Sequence, residues 1–163
     1  MFKEISLIQL QKIAESVKEK YSLVKPTYAV SLPDGGKQIY EYDETSIKDA
    51  QTPKEDLEKW ETYQTQFNLM QAETNEKTTA YMFYSGIDCE VDPEWTEQQE
   101  WLEVKLPTNK FDLKVRYITT ELLKTPFDIK AAIVEIMKLS SKGIDKSAVK
   151  AAESMFSGSL PAE

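Results

Sequence analysis

The chain has no histidine and a single cysteine, Cys89, among 163 residues. These absences exclude disulfide frameworks, Cys-X-X-Cys redox pairs, zinc fingers and every mechanism that depends on imidazole. Glycine is scarce too, with 5 residues, and none falls in a G-X-X-X-X-G-K-[ST] phosphate loop. The serines have no histidine to activate them, and no S-X-X-K motif supplies a lysine base. No apolar run approaches the ~20 residues of a membrane span, and Met1 to Leu10 carries charge without the apolar core of a leader. The expectation is a cytoplasmic, non-enzymatic protein without cofactor or metal, built for binding or assembly.

What is present is acid, unevenly spread. The net charge is -8, and the segment from Pro53 to Val104 holds 13 acidic residues against 3 basic. The chain from Lys105 onward is mildly basic. An acidic chain of this kind is a poor direct binder of nucleic acid, which needs clustered Lys and Arg. Carboxylates are so plentiful that no pair stands out as a general acid and base. Asp88 to Glu94 alternates acids as a calcium loop does, but Pro93 falls where the loop needs glycine and Gln99 where it needs a bidentate glutamate. Asp92 reads better as a helix cap. Cys89 reads as an inert small residue. Lys114 and Arg116 suit either a phosphate or, preferably, a structural pairing of Arg116 with Asp112 or Glu121.

The length and composition fit one domain of mainly α, α+β class. A first helix starts near Ser6 and carries Ile5, Ile8, Ile13, Val17 and Tyr21 as its apolar stripe, ending before Lys25-Pro26. Alternating residues on either side of Pro33-Asp34-Gly35-Gly36 predict a small antiparallel β-hairpin. Two strands alone are marginal in water, so the hairpin must lie against helices or pair with another subunit. Residues 1–52 thus form helix plus hairpin, with Thr45 to Gln51 a polar connector.

Thr52-Pro53, Asp92-Pro93 and Thr125-Pro126 each place a capping residue before a proline at the first helical position. A long helix is predicted over 53–86. In it Trp60, Phe67, Thr74 and Tyr81 recur every seven residues, with Tyr63, Met70, Lys77 and Tyr84 interleaved, a heptad-like seam. An unbroken helix of that length spans ~50 Å, so it must project, pack along a partner, or break near Thr74, Thr78 and Thr79. Its aromatic stripe is either core or an oligomer seam.

A helical cluster follows over 92–156. Pro93 to Val104 carries Trp95, Gln98, Gln99 and Leu102. Asn109 to Lys124, capped by Thr108, aligns Phe111, Val115, Ile118 and Leu122. Pro126 to Ser140 aligns Ile129, Ala132, Ile133, Ile136 and Met137, with Gly143 as its stop. Asp145 caps a last helix through Phe156, and 157–163 reads as a flexible tail.

The series Asp92-Pro93-Glu94-Trp95, Gln98 or Gln99, Leu102, Pro107, Arg116-Tyr117, Asp128, Ile136-Met137-Lys138-Leu139-Ser140, Ala152 and Phe156 resembles a C-terminal pattern of small tail-module proteins in tailed bacteriophages. It covers about the last 65 residues. The family's Ser/Thr-Gly after the Met-X-Leu element is here spread over Ser140-Ser141-Lys142-Gly143. The resemblance implies a tail assembly chaperone in the cytoplasm of the bacterial host, binding the tape measure protein or another tail protein before the tube polymerises. Such a protein works stoichiometrically, by laying aromatic and methionine side chains along an apolar helix. The contact residues expected here are Trp60, Tyr63, Phe67, Met70, Trp95 and Trp101, in a chain that self-associates. Two other readings stand beside it: an acidic DNA mimic that inhibits a host nucleic-acid-binding protein, and a minor structural protein of the virion.

Overall fold

A computed structural model describes residues 1–48 and 51–142. The element order is α1 (Leu7–Lys20), β1 (Thr27–Ser31), β2 (Lys37–Glu41), a 3-10 turn (Ser46–Lys48), α2 (Lys54–Gly86), α3 (Pro93–Trp101), α4 (Lys110–Tyr117), a π-helical turn (Ile118–Leu122) and α5 (Pro126–Ser140). The fold is mainly helical α+β, with one antiparallel hairpin in register Tyr28↔Tyr40 and Ala29↔Ile39. The expected cap at Asp145, the last helix and the tail lie outside the described residues.

The chain divides into two compact units, one of Met1–Ala14 with the chain from Thr74 onward, the other of Glu15–Glu73. The first contains the main core, in which Ile5, Leu10, Met82, Phe83, Ile87, Ile118, Leu123, Ala132, Ile136 and Met137 pack together. Its N-terminal segment is tied in by backbone bonds from Lys3 N–H to Gly86 C=O at 2.7 Å and from Asp88 N–H to Met1 C=O at 2.8 Å. Ile5 N–H donates to Ser140 Oγ at 2.9 Å. The second unit buries little: Val17, Pro26, Tyr42 and Ile47.

Local chemistry explains most boundaries. Ser6 Oγ accepts from Gln9 N–H at 3.2 Å and caps α1. Gly35 takes φ 84° in the hairpin turn, the left-handed region that glycine enters at no steric cost. Asp92 accepts from Glu94 N–H and caps α3. Thr125 and Asp128 form a full capping box on α5. The α5 face is as expected, with Ala132, Ile136 and Met137 buried.

Several expectations need correction. Thr52 does not cap α2: its hydroxyl donates to Ser46 C=O at 3.4 Å, and the helix starts from the Pro53 carbonyl, which accepts from Leu57 N–H. The α1 stripe runs through Leu7, Leu10 and Val17, while Ile8 is 68% exposed. The connector after the hairpin is not wholly polar, since its 3-10 turn buries Ile47. Asn109, not Thr108, caps α4, accepting from Asp112 N–H at 2.8 Å.

The π-helical turn corrects the face expected after α4. Leu123 N–H reaches back five residues to Ile118 C=O at 2.8 Å. The extra residue carries Leu123 to the buried side and leaves Leu122 43% exposed. Helix α3 stops at Trp101, short of Val104, because Glu103 adopts φ 57°. Val104 N–H then bonds Gln99 C=O and Glu103 N–H bonds Glu100 C=O, a Schellman ending with glutamate where glycine is usual.

A candidate protein-binding face on the long helix

Helix α2 is continuous over 33 residues, so the threonines at 74, 78 and 79 do not break it. Thr78 turns its hydroxyl back to Thr74 C=O at 2.6 Å, meeting its hydrogen-bond need inside the helix. The heptad seam does not run its whole length as a buried stripe. From Thr78 onward the buried positions are Thr78, Met82, Phe83 and Gly86, a different face from Lys77, Tyr81 and Tyr84. The seam persists as a half-buried aromatic row only in the first half, which belongs to the Glu15–Glu73 unit.

In that half, Trp60 and Tyr63 stand 5.6 Å apart and Tyr63 and Phe67 6.0 Å apart, ring centre to ring centre. The i, i+3 and i+4 spacing on one helix produces this ladder. Met70 follows three residues after Phe67, half-buried. Lys25 places its ammonium 6.0 Å from the Trp60 ring centre, a favourable cation–π geometry.

A cleft of about 540 Å³ adjoins the ladder, walled by Ser22, Leu23, Val24 and Pro26 on one side and by Glu55, Glu58, Lys59, Thr62, Tyr63 and Gln66 of α2 on the other. Val24 is 77% exposed. The wall was missed in the sequence because the first helix was expected to run on to Lys25-Pro26, whereas α1 ends at Lys20 and leaves Leu23 and Val24 outside it. Their one signal was an apolar pair followed by Lys25-Pro26.

Polar bonds brace the scaffold of this face. Tyr42 Oη donates to Asp56 Oδ2 at 2.8 Å; burial, then the Asp56 bond, pushes the Tyr42 phenol above its ordinary pKa. Glu73 accepts from Lys20 Nζ at 2.8 Å and from Tyr21 Oη at 2.7 Å, and that bond to Glu73 is the main cause raising both groups' pKa values. Tyr28 packs between Tyr40 and Tyr42 at 5.7 and 4.7 Å. At the hairpin's exit Asp43 accepts from Thr45 Oγ1 at 2.6 Å and Ser46 N–H at 2.7 Å. The Thr45 hydroxyl bond, followed by the Ser46 bonds, lowers its carboxyl to about 2.

The remaining expected contact residues lie on α3, in the other unit. Trp95 is 6% exposed and packs edge-on against Tyr117 at 5.1 Å, so it serves as core. Trp101 is 83% exposed beside Leu102 at 57%, an open apolar pair at the end of α3. The ladder therefore brings together Trp60, Tyr63 and Phe67, and the α3 tryptophans belong to separate surroundings.

The polar side chains once weighed for chemistry have structural partners. Arg116 Nη1 donates to Lys105 C=O at 3.0 Å, while Asp112 accepts from Asn109 and Glu121 pairs with Lys124, so the expected Arg116 ion pair gives way to a backbone bond. Asp88 pairs with Lys3 at 2.7 Å. Cys89 is half-buried, and burial raises its thiol pKa. Among the described residues, no helix is long and apolar enough to cross a membrane, and no group of three or more His, Cys, Asp or Glu side chains is placed to hold a metal.

Comparison with protein-family models, curated proteins and solved structures returns no match.

Proposed function

We propose that this chain is a non-enzymatic binding protein of phage tail morphogenesis, a tail assembly chaperone that shields an apolar helix of the tape measure protein. The observation that carries the reading is the Trp60–Tyr63–Phe67 ladder, half-exposed beside an open cleft walled by Leu23, Val24 and Pro26. Aromatic rings at successive turns offer large contact area at low entropic cost, and a helix laid in the cleft would bury them. The scarcity of buried side chains in the same unit supports it too, since a partner would supply apolar contacts that the unit itself lacks. The acidic residues along α2 keep such a complex soluble. The resemblance of residues 92–156 to phage tail-module proteins favours the tape measure protein as that partner.

Co-expression with the tape measure protein tests this. The wild-type chain is expected to hold it soluble and co-purify with it at both low and high salt, whereas Trp60→Ala with Phe67→Ala loses the complex while remaining folded by circular dichroism. Failure of the wild-type chain to bind the tape measure protein overturns the proposal. Capture of a host nucleic-acid-binding protein that is released by salt would favour the DNA mimic instead.

A further inference from the structure

The hairpin leaves two strand edges without partners among the described residues, and its geometry shows which backbone groups face outward. Leu32 N–H donates to Gly36 C=O at 2.8 Å and Tyr42 N–H to Pro26 C=O at 3.0 Å. In an antiparallel ladder the pairs that exchange hydrogen bonds alternate with pairs that do not. The in-register pairs Tyr28↔Tyr40 and Val30↔Gln38 therefore use their backbone groups on each other. Lys37, Ile39 and Glu41 turn theirs outward along the free edge of β2, and their side chains share one face. All five β2 residues are exposed, Ile39 at 71%.

We propose that this edge is the self-association surface. Two copies of the chain pair antiparallel through β2 about a two-fold axis at Ile39, making a four-stranded sheet from two hairpins. Backbone direction and charge select the same register. Centring on Ile39 meets outward groups with outward groups, sets Ile39 beside the partner's Ile39, and places Lys37 opposite the partner's Glu41 twice over. Centring on Lys37 or Glu41 sets like charges opposite, and centring on Gln38 or Tyr40 sets Ile39 against a charged residue. The β1 edge presents only Thr27, Ala29 and Ser31, with no charge to fix a register. Glu41 has a contact of 3.8 Å with Lys25, and its side chain stays 67% exposed. Two strands are marginal by themselves, and the pairing would extend the sheet to four. The inference stands independently of what α2 binds.

Sedimentation equilibrium of the full chain over a concentration series tests it. The wild type is expected to form a dimer. Lys37→Glu and Glu41→Lys each weaken it roughly tenfold by putting like charges opposite. The double variant Lys37→Glu/Glu41→Lys restores dimerisation to within about threefold. Ile39→Pro abolishes the dimer by deleting an outward N–H that the β1–β2 bonds do not use. Circular dichroism of each variant separates loss of pairing from loss of fold, and the charge series decides even where the proline variant unfolds. A wild type that stays monomeric, or a dimer indifferent to the single reversals, overturns the proposal.

Discussion

Gly86 ends α2 so close to α5 that a Cβ on it would stand 2.9 Å from both Cδ1 and Cγ2 of Ile136. Ile136 is fully buried, so its side chain has little room to yield. The glycine is there for space, since the helix would prefer almost any other residue.

Gly86→Ala is therefore expected to destabilise the fold by about 1–3 kcal/mol through overpacking. Ile136→Ala alone is expected to cost about 2–5 kcal/mol as a cavity. The two in combination should cost clearly less than their sum, because the methyl group fills part of the hole. Urea denaturation of the four proteins measures the coupling, and strict additivity would refute the contact.

At Glu103 the expectation is opposite in sign. An L-residue held in the left-handed region costs about 1–2 kcal/mol, part of which glycine gives back through a freer unfolded chain. Glu103→Gly should stabilise the protein by about 0.5–1 kcal/mol, read as a higher thermal midpoint. A lower midpoint would show that the Glu103 side chain contributes more than its backbone costs.

Acid titration should reach Asp43 late. Its folded carboxyl ionises at about 2, below the ordinary unfolded value of about 3.9. The stability it contributes is fully present above the unfolded value and is lost as pH falls through the folded one. Asp43→Asn should flatten the pH dependence of stability between about pH 4 and pH 2. A carboxyl NMR titration of Asp43 at the ordinary value would contradict the hydrogen-bond assignment.

The burial that raises Cys89's pKa has a kinetic consequence, because the thiolate is the reactive form. Cys89 in the native protein should react with a thiol reagent at neutral pH more slowly than in urea. Equal rates would place the thiol in the open.

Much of this fold was legible because its signals are local. Asp92-Pro93 and Thr125-Pro126 carry their caps within a few residues, and the hairpin is fixed by a turn that only glycine-rich sequence makes. What was not legible depends on contacts between segments. Thr52 has the same cap-proline signature, yet its hydroxyl bonds Ser46 C=O instead. The heptad row on α2 is uniform as text, but the buried face changes after Thr74, where the helix joins the core of Met82 and Phe83. The π-helical turn that exchanges Leu122 for Leu123 has no sequence marker, and neither does a left-handed glutamate. Of the expected contact residues, the i, i+3 and i+4 spacing sufficed to place Trp60, Tyr63 and Phe67 together. It had no means of telling the buried Trp95 from the exposed Trp101, six residues apart on one short helix.

The claim that the ladder and its cleft receive an apolar helix is tested most directly by hydrogen exchange of the chain with and without the tape measure protein. Bound protein is expected to gain protection in residues 22–26 and 54–70, with the effect lost in the Trp60→Ala/Phe67→Ala variant. Protection confined to α3–α5, or none anywhere, would contradict it.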